Sequence, residues 1–349
     1  MRNNIVIGII GQGFVGSAVR EKFKEDFKVY AYDKFNDNLS KIYTPNLVDS
    51  ISGLPAISDK NIVLCDVIEN SDYIFVCVPT PMYEDGECDT RIVESVIQDI
   101  HDECNLTEKN ITIVCKSTMP PGTTERLNKL SARVKVLFSP EFLTEANSIE
   151  DFKNQTRLII GTPEGYHNNP DIDVVRESFN IAFPKAEIVN MKSSEAEMVK
   201  YMTNLFLATK VSFFNDMYSI CDKLNINFDK ISDVTLLDKR IGTSHYQVPG
   251  PDGDRGYGGH CFPKDMQAII YMANSLGVKI PTLNGAEKTN NIVRSNKDWE
   301  KMNGRAVSKR DTNQLELSFN DKKTREKYPA NIEGSLEFNQ YGQARGNAI

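Results

Sequence analysis

One stretch near the start leaves few choices of fold. Asn4 to Ile10 is a nearly continuous apolar, β-branched run, Gly11-Gln12-Gly13-Phe14-Val15-Gly16 follows at once, and Ser17 to Phe23 has helical periodicity. Placed between a strand and a helix, G-x-G-x-x-G has a physical reading. Gly11 permits a tight turn, Gly13 lets backbone approach a pyrophosphate, and Gly16 lets the helix pack on the strand with its N–H-rich start facing the anion. The next strand, Lys28 to Tyr32, ends at Asp33, 22 residues after Gly11, where an acidic side chain meets the ribose of a bound dinucleotide. A carboxylate there accepts from a 2′-hydroxyl and repels a 2′-phosphate, so NAD is expected, although the adjacent Lys34 could pair with a phosphate.

Further strand-like runs end in small, polar or proline residues: Tyr73 to Val78 into Pro79-Thr80-Pro81, Ile111 to Lys116 into Ser117-Thr118-Met119-Pro120-Pro121-Gly122, Val134 to Phe138 into Ser139-Pro140-Glu141, and Arg157 to Gly161. This is how the ligand-binding carboxyl edge of a parallel sheet looks. The fold class expected is α/β: a Rossmann-type parallel-sheet domain over 1–192, then an α-helical central domain built on a long helix over 193–305. A polar tail over 306–349 is expected to be flexible.

The long helix runs from Ser194 to about Leu224, with Ser193 or Ser194 as its N-cap and early glutamates suited to its dipole. Lys200 and Asn204 share one face of it among apolar neighbours, which suits a buried polar role. Beyond it, Pro249 to Arg255 is a glycine- and proline-rich loop leading into Gly256-Tyr257-Gly258-Gly259-His260-Cys261-Phe262-Pro263-Lys264-Asp265. A helix is expected from Lys264 or Asp265 to Leu276, with Pro263 near its first turn. Cys261 would then sit just before a helix start, where aligned dipoles favour a thiolate and lower its pKa.

The net charge of −7 argues against nucleic acid as a partner. Seven scattered cysteines without a C-x-x-C pair fit reduced thiols in the cytoplasm better than disulfides or a metal site, and no metal is expected. The short, glycine-broken N-terminal run is expected to be neither a leader nor a membrane span.

GQGFVG, VPTP, KSTMPPGTT, SPEFLTEANSIEDF, EAEMVKYMTNLFLATKVSFFND, RIG and GYGGHCFPKD, in that order, make residues 4 to 305 resemble the UDP-glucose and GDP-mannose dehydrogenase family. The resemblance implies NAD-dependent oxidation of the C6 alcohol of a nucleotide sugar to a carboxylate, in two hydride transfers, within polysaccharide biosynthesis. Cys261 would form a thiohemiacetal and then a thioester. Lys200 and Asn204 would bind the sugar and stabilise the developing oxyanion, and Asp265 would orient a lysine or water. Thr118 and Glu141 would hold the hydrolytic water, with Glu141 a possible base. Gly11, Gly13, Phe14, Val15, Gly16, Asp33, Lys34, Thr80, Thr118 and Glu145 would line the NAD site. Phe142, Leu143 and Gly258 would join Glu141, Lys200, Asn204 and Cys261 around the substrate. Arg240 would serve the neighbouring subunit of a homodimer.

UDP-glucose is the expected substrate; GDP-mannose, a UDP-N-acetylhexosamine, or a degenerate NAD-binding or assembly module are the alternatives. Family members carry a third, C-terminal α/β domain that grips the nucleotide, and this chain is expected to lack it. The loop before Cys261 is longer than in many members, and Arg255 is expected near the thiol, binding a phosphate.

Overall fold

A computed structural model describes residues 5–48, 55–58, 62–166 and 169–310. In chain order these form β1 (Val6–Ile10), α1 (Phe14–Phe23), β2 (Lys28–Tyr32), β3 (Lys41–Val48), β4 (Pro55–Ser58), α2 (Leu64–Asn70), β5 (Tyr73–Val76), α3 (Arg91–Thr107), β6 (Ile111–Cys115), α4 (Thr123–Leu127), β7 (Val134–Phe138), α5 (Ser148–Lys153), β8 (Arg157–Thr162), α6 (Pro170–Ala182), β9 (Glu187–Lys192), α7 (Ser193–Leu224), α8 (Phe228–Thr235), α9 (Phe262–Ser275) and α10 (Pro281–Val293).

The strands make one nine-stranded sheet in the order β4-β3-β2-β1-β5-β6-β7-β8-β9. From β2 to β7 neighbours are parallel, as the apolar runs imply. Side chains alternate across the sheet. On β5, Ile74 and Val76 pack towards Val67, Val96 and Ile100 of α2 and α3, while Tyr73 and Phe75 pack towards Val19, Phe23 and Phe179 of α1 and α6. Burial on both faces is why these strands read as unbroken apolar runs.

The parallel core of the sheet is extended by antiparallel pairings towards both edges. β3 and β4 are antiparallel additions beyond β2, and β8 meets β7 antiparallel through the pair Phe138–Gly161. The six-residue α5 is only about 9 Å long, too short to carry the chain back along β7 for a full crossover. β5 stops at Val76, two residues early, because the Val78 N–H donates to the Ser117 hydroxyl (3.1 Å) instead of a strand.

β9 passes directly into α7. Neither serine is its N-cap: both are helical and Lys192 takes that position, its N–H donating to the Glu195 carboxylate at 3.0 Å. A Cβ on Gly161 of β8 would meet the Ala196 Cβ at 2.7 Å, so a glycine there lets α7 lie on the sheet. Tyr201, Leu205 and Ala208 of α7 pack with Met266 and Ile269 of α9 and Ala286 of α10 as a second core.

The expected tail boundary at 306 also moves. Ala306 is fully buried, the Met82 N–H donates to its carbonyl (2.8 Å), and the Ser308 N–H donates back to the Met82 carbonyl (2.9 Å). Arg310 pairs with Asp85 and Glu87. Residues 302–310 therefore return from the helical layer to the loop after β5; residues 311–349, where the rest of the tail falls, lie outside those described.

Candidate active site

The sheet reverses direction of winding between β1 and β5, whose ends pair as Ile10 and Val76. Such a switch point opens a crevice at the carboxyl ends of the strands. Gly11 has φ +87°, and a Cβ on it would sit 2.6 Å from the Cys77 carbonyl oxygen; one on Gly16 would sit 1.8 Å from the Gly11 oxygen. Gly13 differs: no atom lies within 4 Å of where its Cβ would be, so its Cα faces open space. The turn is tight on two glycines and vacant at the third, as close approach of a pyrophosphate requires. Asp33 braces the turn, its Oδ2 accepting from Gln12 N at 2.8 Å and Oδ1 from Phe35 N at 3.0 Å. Thr80 and Thr118 are buried at the ends of β5 and β6. These residues fit a dinucleotide.

Cys261 is the N-cap of α9, which starts at Phe262, two or three residues before the expected Lys264 or Asp265. Buried polar side chains from three elements act around its half-buried thiol. Lys200 on α7 is 2% exposed and donates to the Glu141 carbonyl (2.7 Å) and Oε1 (2.8 Å). Burial disfavours its charge, but Glu141, Cys261 and Asp265 outweigh that and hold its pKa above the ordinary lysine value. Burial likewise opposes Glu141, yet the Lys200 charge and hydrogen bond keep that carboxyl below its usual range. Asp265 Oδ2 accepts from Asn204 Nδ2 (2.6 Å) and Oδ1 from Lys264 Nζ (2.6 Å). An ammonium has three donors and an amide two, so Lys200 and Asn204 each keep one N–H beyond these bonds. The carboxylates aim them.

The thiol itself departs from expectation. Burial first, and the Glu141 charge second, push Cys261 up to about 12 against the pull of Lys200 and Lys264. The helix start does not win, because desolvation of a thiolate outweighs the partial charge of one helix terminus. The resting sulfur is a protonated thiol.

Other expected site residues fall in different places. Phe142 lies under the Lys200 ammonium, 5.7 Å from ring centre to Nζ, and the Leu143 N–H caps Glu141 Oε2 at 2.9 Å. Glu145 is exposed and pairs with His260 (3.2 Å) and Arg305 (3.4 Å). Phe14 stacks on His260 at 6.1 Å and beneath the Arg305 guanidinium at 4.9 Å. Val15 is half-buried behind it, and Lys34 lies against the Phe35 ring. Gly258 packs against Arg294, whose Nη2 is 2.2 Å from where a Cβ would be. Arg240 is 89% exposed and pairs with Asp238.

Arg255 is the clear displacement. Its guanidinium donates to the Asn215 carbonyl (3.0 Å), Asn215 Oδ1 (3.2 Å) and Ser219 Oγ (2.6 Å) and lies over the Tyr218 ring. It staples the loop to α7, 11 residues and about 16 Å of helix beyond Asn204, because its three donors find α7 acceptors there. Lys116 was missed by sequence reasoning. It is 2% exposed, donates to Ser139, and burial lowers it to about 8 against the opposing charges of Cys77 and Glu141. Its motif was visible, but nothing in sequence shows that a strand-end lysine points inward.

Among the described residues no group of three His, Cys, Asp or Glu is placed to hold a metal ion, and no helix is long and apolar enough to cross a membrane.

Fold and site define a dinucleotide-binding α/β protein whose helical layer brings a cysteine to the cofactor crevice. Residues 5–179 match the UDP-glucose/GDP-mannose dehydrogenase family, NAD binding domain, and residues 194–292 match the central domain of the same family. The chain belongs to that family, and its dinucleotide is NAD. It is 30% identical over 303 residues to UDP-glucose 6-dehydrogenase TuaD of Bacillus subtilis, covering 81% of this chain and 62% of the relative. It is 30% identical over 307 residues to the UDP-glucose 6-dehydrogenase of Rickettsia prowazekii, covering 84% and 65%. The chain thus spans somewhat less than two thirds of these relatives. Among solved structures it resembles a UDP-glucose dehydrogenase from the archaeon Pyrobaculum islandicum, with a TM-score of 0.68, 27% identity, and coverage of 83% of this chain and 68% of that one.

Proposed function

We propose that the protein oxidises the C6 alcohol of a nucleotide sugar, UDP-glucose, to the carboxylate, producing UDP-glucuronate. The observation that carries the reading is the convergence on Cys261 of Lys200, aimed by Glu141, and Asn204, aimed by Asp265. Names of the relatives support the choice of sugar nucleotide. NAD, when bound against Gly11, Gly13, Gly16, Asp33, Thr80 and Thr118, accepts one hydride in each of two oxidations.

The remaining chemistry belongs to the chain. In the first oxidation C6 loses a hydride and its hydroxyl a proton. The free N–H groups of Lys200 and Asn204 face the negative charge that develops on that oxygen. Cys261 then adds to the aldehyde: the S–C6 bond forms and the thiol proton passes to the carbonyl oxygen. A protonated resting thiol suits this step, because its proton has a place to go. The second oxidation removes a hydride from C6 and the hydroxyl proton, leaving a thioester. Water adds to the thioester carbon, the C–S bond breaks, and the sulfur recovers a proton. The balance is alcohol, two NAD and one water giving carboxylate, two NADH and three protons. Glu141, held ionised beside Lys200, and Thr118 are the residues proposed to hold that water.

The reading includes a boundary between NAD-binding and central domains at 192/193. It also includes a cytoplasmic homodimer. Met202, Phe206, Phe213, Ile220 and Leu224 form an exposed apolar stripe along α7, and this supports a second copy packing there with Arg240 offered across. A panel of UDP-glucose, GDP-mannose and UDP-N-acetylhexosamines assayed for NADH tests the function. Two NADH per UDP-glucose, and loss of turnover in Cys261→Ser, are expected. One NADH per sugar, or full activity in Cys261→Ser, removes the covalent route, and sedimentation as a monomer removes the dimer.

A further inference from the structure

Thr118 lies in a loop with two anchors. Upstream, the Ser117 hydroxyl donates to the Val78 carbonyl (2.7 Å) and accepts from Val78 N. Downstream, the Pro120-Pro121-Gly122 turn opens α4 with Gly122 at φ +94°. Its amides are spent on another element: Gly122 N donates to Glu197 Oε2 at 2.6 Å, and Thr124 N (2.8 Å) and Thr124 Oγ1 (2.6 Å) meet Glu197 Oε1. Glu197 is on α7, fully buried, three residues before Lys200 and seven before Asn204, hence on the same helix face. Among the described residues, this carboxylate accepts its hydrogen bonds from the turn after Thr118 and from the first turn of α4.

We propose that Glu197 is a positioning residue: it fixes the Thr118 loop of the NAD-binding layer in register with the α7 face that presents Lys200 and Asn204. The proposal rests on the dehydrogenase reading above and adds to it a residue outside the thiol's own surroundings. Registration matters because hydride transfer tolerates little error between cofactor and substrate.

Burial raises the Glu197 carboxyl to about 7, against the bonds from Thr124 and Gly122, with the Glu125 charge adding to the rise. The groups facing it are Glu125 on α4, Cys115 at the end of β6 and Tyr201 on α7. Burial pushes Cys115 up to about 12 and Tyr201 well above its ordinary value, so neither changes charge near neutrality.

Three variants of the full chain test this: Glu197→Ala, Glu197→Gln and the isosteric Thr124→Val. The measurements are amide exchange of the 120–124 turn, NADH binding by fluorescence, and kcat and KM from pH 6 to 9. In Glu197→Ala the turn amides exchange faster, the KM for NAD rises and kcat falls, each roughly tenfold, the scale of one charge-assisted hydrogen bond; the KM for the sugar nucleotide holds. Glu197→Gln keeps one acceptor oxygen but sets its NH2 against a backbone N–H, that of Gly122 or of Thr124. It recovers only part of the loss. Thr124→Val moves the same readouts less and keeps the test open if the alanine variant does not fold. Unchanged turn exchange and NADH affinity in folded Glu197→Ala, or in Thr124→Val where the alanine variant does not fold, or a lowered melting temperature with no kinetic change, overturn the proposal. Exchange and NADH binding need no turnover, so an inactive parent chain removes the dehydrogenase reading while these two measurements still decide the role of Glu197.

Discussion

Lys200→Met isolates the buried ion pair that aims the site. The ammonium and carboxylate lie 2.8 Å apart, with side chains 3% and 8% exposed, so the substitution leaves a carboxylate in the interior without its principal counter-charge. Breaking such a pair costs about 3–5 kcal/mol when the partner stays charged. Here the value falls at the lower end, about 3 kcal/mol at pH 8, because Lys116 still acts on Glu141 and the Leu143 N–H still donates to it. The cost depends on pH in a definite direction. In the parent, the Glu141 pKa is depressed, so the pair's contribution is present above the unfolded carboxyl value and is lost as pH falls through the folded one. In the variant the orphaned carboxyl is raised, so the folded state binds more protons than the unfolded chain and stability falls as pH rises. At pH 5 Glu141 escapes by protonation and the deficit shrinks to roughly 1 kcal/mol, the worth of the lost bond to its carbonyl. The single tryptophan, Trp299, is buried, so its fluorescence in urea reports unfolding. A deficit equal at pH 5 and pH 8, or below about 1 kcal/mol at both, would refute the reasoning. Adding Glu141→Gln should recover much of the pH 8 loss, since it removes the stranded charge.

Gly16→Ala drives a methyl into the Gly11 carbonyl, 1.8 Å away, and should abolish NADH binding measured by fluorescence; binding within threefold of the parent would be incompatible with a backbone-built turn. Because burial holds the Cys261 thiol at about 12, carbamidomethylation of this residue, followed by peptide mass analysis, should be slow at pH 7 and accelerate through pH 9 and above; fast labelling at neutral pH contradicts a protonated resting sulfur. Arg255→Ala removes three hydrogen bonds to Asn215 and Ser219 and should cost about 1–3 kcal/mol in urea melts with the sugar-nucleotide KM unchanged. A raised KM with intact stability would restore it to the substrate.

Much of this was legible in sequence wherever local pattern and chemistry agree. Strands Lys28–Tyr32 and Val134–Phe138 were read to the residue, because apolar β-branched runs bounded by polar residues leave no other period. The Lys200–Asn204 face followed from helical spacing. What escaped was set by distant partners. β3, β4 and β9 are edge elements without a long apolar run, and β9 alternates only partly buried residues. Lys116 and Glu197 are charged residues in segments read correctly, but burial of a charge depends on acceptors from strands and turns far away in sequence. Arg255 was close to Cys261 in sequence and was misplaced for the same reason. Arg294, buried between Asp252, Asp254 and Asp298, organises the loop from one helix further on, and no motif marks it.

The return of residues 302–310 to the loop after β5 turns an open hinge into a loop of linked parts. The chain leaves the sheet once, where β9 runs into α7, and is fastened to it again where Ala306 and Ser308 bracket Met82 and Ser308 grips Asp89. Together with the Glu197 and Lys200 contacts, this holds the two layers at several separated places. Wide opening of the crevice would then need release of the Met82 clasp. A rate limit in turnover that responds to Val307 and Ser308, residues distant from the thiol in the chain, is the mechanical signature of such a fastening.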